Sequence, residues 1–355
     1  MTIRDAIDAD LSNIAELADN NDLLIPPLDQ AAFARMLSWL HASPPKGQRL
    51  EFVCEEDGIL IAHYGAVPFQ YKVNAQYVIA GFAANIVIDK EARKKALFFP
   101  LQKHFANLYP ALGYGFTYGV MTRAGVLKPH LAVGWKEVGD LNVYVKPVSA
   151  GSIFSKLFPQ LGFSKTIKFF AAPFQYLFDC VTSFGRSSVQ IEKIQRFDQT
   201  HEDFLRGWTC SQAITAVRSS EILNWRFVEF SERNYKISIA RKNDAFTGYV
   251  VTRVMPMKQF SCLAIVDLIA MDDDPSTIAG LIKHCDQIAK AEGVDFISTA
   301  FAQHYAFKKL MTRKGFIRTK EKFTLVTRTP KDSDLSLRAD IFSQWFINWF
   351  DHDFV

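Results

Sequence analysis

Three cations in a row, Arg93, Lys94 and Lys95, stand before the apolar run Ala96-Leu97-Phe98-Phe99, which leads into Pro100. A proline inside a helix costs roughly 3 kcal/mol, but it is tolerated in the first turn, whose amides have no partner within the helix. The sequence therefore predicts a helix starting between Ala96 and Phe99, with the cations at its positive mouth. Free amides, a helix dipole and cations together suit a phosphate-bearing anion. A solvated helix start would use the same residues, and Pro100 withdraws one donor from the turn. The reverse arrangement comes later: Asp272-Asp273-Asp274 precede Pro275, giving a second helix mouth that repels anions. Those carboxylates suit a helix cap, or a bound cation. Among proton carriers, His63 and Tyr64 lie in a strand-like run, where they also suit core packing, and His130 follows Pro129 on a short helical stretch.

The elements that must hold these residues are legible from periodicity. A strand over Thr2–Ala6 leads to a helix capped by Asp8, with Leu11, Ile14, Ala15, Leu17 and Ala18 on one stripe. Asp29 caps a second helix that turns Phe33, Met36, Leu37 and Leu40 inward. Strands follow at Leu50–Cys54, Ile59–Tyr71 and Gln76–Ile88, then the helix to Leu108, a strand Gly115–Met121, a helix Gly125–Ala132 and a strand Lys136–Val145. From about Asn224 a similar order recurs: strands Tyr235–Arg241, Phe246–Met255 and Phe260–Ala270, a helix Pro275–Glu292, a strand Asp295–Phe301, a helix Gln303–Thr312 and a strand Phe316–Arg328. A repeat of this size means duplicated domains rather than a solenoid. The expected organisation is one domain over 1–148, an apolar helical connector over 149–190, a second domain over 191–330 and a tail over 331–355.

Several short stretches resemble the GNAT (N-acetyltransferase) superfamily. Asn85 to Ala96 is similar to that family's strand-to-helix junction, whose V-x-P-x-x-R-x-x-G-x-G/A pattern binds coenzyme A pyrophosphate. Gly58 to Gly65 with Pro68 resembles the preceding hairpin, and Tyr118-Gly119 with Gly134-Trp135 the later strands. The resemblance implies an α+β (α/β) fold of two tandem GNAT-like domains, each a mixed, mostly antiparallel sheet flanked by helices. It implies an acyl-CoA site, acetyl-CoA or another acyl-CoA being the donor, formed by Val87, Ile88, Arg93, Lys94, Lys95, Ala96, Leu97 and Phe98. Here Ala96 replaces the pattern's glycine, and Phe98 its small last residue, where a ring crowds a phosphate cradle. His130, four residues before Gly134, takes the place of the tyrosine that protonates the departing thiolate. Asn85 stands where many members carry a carboxylate base, and an amide cannot be one. The second domain has no equivalent cofactor junction.

The chain also resembles tandem-GNAT proteins of bacterial polysaccharide or cell-envelope biosynthesis, through Trp225-Arg226, Gly248-Tyr249, Asp267-Leu268 and the tail Trp349-Phe350-Asp351-His352-Asp353. The expected activity is acyl transfer to a small amine or amino sugar. The alternatives are a catalytically degenerate GNAT pair that binds a ligand or a protein, and a Fem-type aminoacyltransferase. A net charge of +4 gives no ground for nucleic acid. Five scattered cysteines (Cys54, Cys180, Cys210, Cys262, Cys285) form no CxxC and no disulfide framework, as in a cytoplasmic protein. The chain starts MTIRDAIDAD, with no secretion signal and no segment of spanning length. The segment 151–186, rich in Phe with interspersed Lys and Arg, suits packing on both domains, peripheral contact with a membrane, or a homodimer.

Overall fold

The computed structural model describes residues 1–24, 29–74, 76–121, 124–158, 173, 175–182, 189–208, 212–302, 305–330 and 339–352. The expectations at Cys210, Gln303, Asp353 and most of the connector's middle lie outside them.

The first half runs β1 (Thr2–Asp5), α1 (Leu11–Asn20), α2 (Gln30–Leu37), β2 (Leu50–Glu56), β3 (Ile59–Val73), β4 (Gln76–Ile88), α3 (Phe98–Ala111), β5 (Tyr114–Met121), α4 (Ala124–Ala132) and β6 (Lys136–Pro147). After α5 (Ala150–Leu157) the second half runs β7 (Gln190–Ile194), α6 (Gln199–Gly207), β8 (Ile214–Ala216), α7 (Ser220–Asn224), β9 (Lys236–Lys242), β10 (Ala245–Met257), β11 (Phe260–Ala270), α8 (Pro275–Ala291), β12 (Phe296–Phe301), α9 (Tyr305–Arg313) and β13 (Ile317–Arg328). A two-residue strand β14 (Trp345–Phe346) belongs to the tail. The repeat therefore begins at Gln190, earlier than periodicity indicates, because β7, α6 and α7 are short. Both α2 and α7 widen into a π-helical turn, Ser38–Ala42 and Trp225–Glu229.

The strands form one sheet in the order β1-β2-β3-β4-β5-β13-β6-β12-β11-β10-β9-β7. The two halves are thus related by an approximate two-fold through the antiparallel β6–β13 pair. Each half gives its last strand to the other: β13 pairs with β5, and β6 pairs with β12.

Alternation along β3 explains the layers. Ala62, Tyr64 and Ala66 face α3 with Leu101 and Phe105, whereas Val67, Phe69 and Tyr71 face α1, α2 and the tail. The inward stripes of α1 and α2 are buried as expected apart from Leu11, which is half-buried, and Asp29 caps α2 by accepting from the Ala32 amide at 2.8 Å. Asp8 caps nothing. A 3-10 turn intervenes before α1, and Asp8 pairs with Arg49 while Asp10 accepts from the Ile7 amide.

The connector helix α5 is tied to the second half through Ser152 and Lys156, both bonded to Asp295. Phe154, Leu157, Phe158, Tyr176, Leu177 and Val181 are exposed. No helix among the described residues is long and apolar enough to cross a membrane.

Candidate functional site

Two parallel strand pairs in this sheet part partway along their length, and each makes a notch. In the first half β4 and β5 pair only between Ile79–Phe82 and Tyr114–Tyr118. In the second, β11 and β12 pair only between Cys262–Ala264 and Phe296–Ser298. The notches differ in what fills them. The second holds the protein's own tail: the Ala302 amide donates to the Ile347 carbonyl, and Phe301 bridges Asn348. A void of about 20 Å³ is left among Ile265, Leu268, Thr299, Phe301, Phe346 and Ile347, room for one water at most. The first notch is walled by small residues, Ala83 and Ala84 on β4 and Gly119 on β5. A Cβ at Gly119 would meet the flexible end of Met121 at 2.7 Å.

At the far end of β4 lies the basic helix mouth. Arg93, Lys94 and Lys95 are exposed on a 3-10 turn before α3. Arg93 donates to the Ile88 carbonyl and to Asn21, Lys94 pairs with Glu91 at 2.6 Å, and Lys95 pairs with Glu56. Exposed pairs of this kind contribute little because solvent screens them, so an arriving anion displaces them at small cost. Ala96 has φ +53°, the left-handed conformation that glycine adopts without penalty. The amides of Ala96, Phe99 and Leu101 go to chain carbonyls and Pro100 has none, which leaves the Leu97 and Phe98 amides for a ligand. Beside α3 runs a cavity of about 550 Å³ lined by Phe99, Lys103, Tyr109, Val133 and Arg328.

Phe98 and His130 are brought together, with ring centroids 4.9 Å apart, and Trp135 closes on the same imidazole at 5.4 Å. Phe98 thus leans on α4 at the mouth of α3. His130 is buried; its Nδ1–H donates to the Val126 carbonyl at 2.7 Å, and Nε2 has no partner. Burial holds its pKa below the usual histidine value. A neutral ring with its proton on Nδ1 presents a lone pair at Nε2. It is therefore arranged to accept a proton, whereas protonating a thiolate requires the imidazolium.

Asn85 sits on a β-bulge. Against β3 the register shifts by one residue between Ala84 and Val87, and Asn85 has φ +56°. Its side chain heads no acid–base pair, and its Nδ2 is buried with no partner. Val87 and Ile88 continue β4 against His63 and Ala62.

Behind the bulge lies a cluster of which sequence reasoning named only His63. His63 Nδ1 meets the Asn85 carbonyl at 2.7 Å and its Nε2 meets Glu51 Oε1 at 2.8 Å. Both partners are acceptors, so the ring bonds both only when it carries two protons. Glu51 also accepts from Arg49, at 2.8 and 2.5 Å. Burial raises the Glu51 carboxyl, but His41, the His63 hydrogen bond and Arg49 together outweigh it and hold the group down at about 2. His41, on the first π-turn, is 1% exposed, and its Nε2 lies 3.8 Å from Glu51 Oε1. Both ring nitrogens lack partners, and burial pushes its pKa down to about 4. An unsatisfied buried polar atom costs about 1–3 kcal/mol. The signal was present: alternation along Leu50–Cys54 puts Glu51 on the same covered face as Val53.

The mouth of α8 in the second half offers no anion site. The Asp274 carboxylate itself takes the Ser276 and Thr277 amides at the mouth of α8, and against burial the hydroxyls and amides of Thr277 and Ser276 hold it down at about 2. Among the described residues, no group of three or more His, Cys, Asp or Glu could hold a metal, Asp272–Asp274 included. The quoted motif residues build scaffold instead. Asp267, on a matching bulge of β11, receives Arg218 twice, Tyr249 Oη–H at 2.6 Å and Asn348 Nδ2–H at 2.8 Å. Gly248 is needed because a Cβ there would sit 2.6 Å from the Ile269 carbonyl oxygen. The network reaches the first half through Asp351, which accepts from Tyr71 Oη–H at 2.7 Å and whose carbonyl accepts from Tyr118. Burial raises the Asp351 pKa to about 6. Between β3, β8 and α6 a further cavity of about 510 Å³ is lined by Lys72, Tyr77, Arg206 and Trp208.

No protein-family model matches the sequence. No curated protein matches it either. Solved structures do. A GCN5-related N-acetyltransferase from Anabaena variabilis aligns with a TM-score of 0.61 at 10% identity over 93% of this chain and 73% of its own. A probable N-acyltransferase from Enterococcus faecalis gives 0.63 at 11% over 93% and 73%. N-myristoyltransferase from Saccharomyces cerevisiae, solved with bound myristoyl-CoA, gives 0.61 at 12% over 96% and 84%. The chain therefore has a two-domain GNAT-like α+β fold.

Proposed function

We propose that this chain is an acyl-CoA-dependent N-acyltransferase whose donor site is the first notch. The observation that carries this reading is the contrast between the notches: small residues wall the first, and the tail fills the second. The two helix mouths differ in the same sense, one basic with free amides, the other sealed by Asp274. The thioester arm would lie between β4 and β5, and the pyrophosphate at Arg93, Lys94, Lys95 and the Leu97 and Phe98 amides. Lys103 and Arg328 offer cations to the nucleotide end. Phe98 must shift for the phosphates to reach those amides, and His130 then faces the donor with a free lone pair. The acceptor is a small amine or an amino sugar, such as those of envelope polysaccharides, and the enzyme is cytoplasmic. The exposed side chains of the connector suit a homodimer contact or a peripheral membrane contact.

Titration calorimetry with acetyl-CoA and a longer acyl-CoA tests the donor site. Micromolar binding by the wild type and its loss in Ala83→Trp is expected. Binding that survives Ala83→Trp would put the donor elsewhere. The edge-on contact of Phe98 with His130 favours a second reading, a degenerate GNAT pair that binds a ligand or protein without chemistry. In that case no amine of an acceptor panel releases free thiol from acyl-CoA, whether or not the donor binds.

A further inference from the structure

Three buried polar atoms without partners converge on the bulge of β4: both ring nitrogens of His41 and Nδ2 of Asn85. His41 lies directly over Gly65, where a Cβ would come to 2.8 Å from its Cε1, and Gly65 pairs with Ala84, the residue before Asn85. The Asn85 carbonyl is fixed by His63, which Glu51 and Arg49 hold in turn. A chain of bonds therefore runs from Asp8 on the surface through Arg49, Glu51 and His63 to the bulge. Such a set leaves one donor and one base with nothing in the chain to satisfy them.

We propose that His41 and Asn85 are catalytic residues that handle the acceptor amine and the acyl oxygen. The inference rests on the donor site being the first notch. The amine nitrogen attacks the thioester carbonyl carbon, the C–N bond forms, and the carbonyl π pair moves to oxygen, where Asn85 Nδ2–H donates to it. The amine proton passes to the free ring nitrogen of His41. The oxygen pair then returns, the C–S bond breaks, and the thiolate leaves and takes a proton from solvent, while the imidazolium of His41 releases its proton to solvent and becomes a base again. Glu51, 3.8 Å away, stabilises the imidazolium formed in the step. Arg49, Glu51 and His63 are positioning residues and the titratable groups that face His41.

The test uses the full-length protein, acetyl-CoA and glucosamine, with free thiol release as the readout and calorimetry for donor binding. His41→Gln is expected to bind acetyl-CoA within twofold of wild type and to lose at least a hundredfold in kcat/KM at pH 7. That deficit shrinks toward pH 10, where the amine sheds its own proton. Asn85→Ala is expected to lose ten- to hundredfold in kcat with no such pH recovery. Should His41→Gln fail to fold, His41→Asn serves in its place. A His41 variant with an unchanged pH profile overturns the assignment, as does a uniform loss at every pH. Wild-type protein that binds no acetyl-CoA overturns the functional reading, and this assignment with it.

Discussion

His41→Asn should make the protein less sensitive to acid. The native pKa of His41 is about 4, against 6.5 for the free side chain. Above pH 6.5 the ring is neutral in both states and contributes no pH dependence. As pH falls below that value, the unfolded chain takes up a proton that the native protein refuses, so native stability is lost. At pH 4.5 the loss from this one group is about 2.5 kcal/mol. With an unfolding entropy of roughly 2.1 cal/mol/K per residue, it corresponds to about 3 °C in Tm. Groups far from His41 titrate alike in wild type and variant and cancel in the difference, Glu51 being the neighbour whose pKa the imidazole itself lowers. Staying at or above pH 4.5 also keeps clear of Glu51, whose depressed pKa of about 2 adds a separate loss at lower pH. Calorimetric scans of both proteins from pH 7.5 to 4.5 should show the Tm gap moving by about 3 °C in favour of the variant. A gap constant within 1 °C would refute the reasoning, because His41 would then not be held neutral by the fold.

Two further substitutions test local geometry. Ala96→Gly removes the penalty of a left-handed alanine and should stabilise the protein by about 1 kcal/mol in denaturant titrations; a destabilised variant would mean that this backbone conformation is wrong. Tyr71→Phe deletes a buried donor to Asp351 and should cost about 1.5–3 kcal/mol at pH 8. The loss should be smaller at pH 5, below the raised pKa of Asp351 at about 6, and equal losses at both values would remove the carboxylate from the account.

The element order was legible because long periodic runs and punctuating prolines are local signals. Gln76–Ile88 and Phe260–Ala270 can be read off as strands to their last residue. The helix mouth at Phe98 was legible for the same reason, through Pro100. What escaped is what depends on distant partners. Nothing near His41 in sequence announces Glu51 or Gly65, since the three come from a π-turn and two strands. The sealing of the second notch is equally non-local: Phe346 to Asn348 reach β11 and β12 from far along the chain. Trp225-Arg226 and Asp267-Leu268 read as family motifs, and the structure gives them a physical reason. Arg226 is buried and donates to the Phe350 carbonyl, and Asp267 gathers Arg218, Tyr249 and Asn348. They hold the tail in the second notch.

The exchange of last strands bears on whether the halves are separable. The first half's own strands leave β5 and β6 unpaired with each other, because β13 lies between them. Cut at 148, the first half would keep β6 but lose both its neighbours, β13 and β12, and would expose β5 as a second raw edge. Exposed apolar edges of this kind pair with other chains. Expressed alone, 1–148 should aggregate or exchange strands into a dimer, and 149–355 should do the same for want of β6. Expressed together, the two fragments should copurify as one particle with the intact protein's circular dichroism. A monodisperse, cooperatively melting 1–148 monomer in size-exclusion chromatography would sink the argument. It would show that β6 can close directly on β5. The notch between β4 and β5 would then owe nothing to β13.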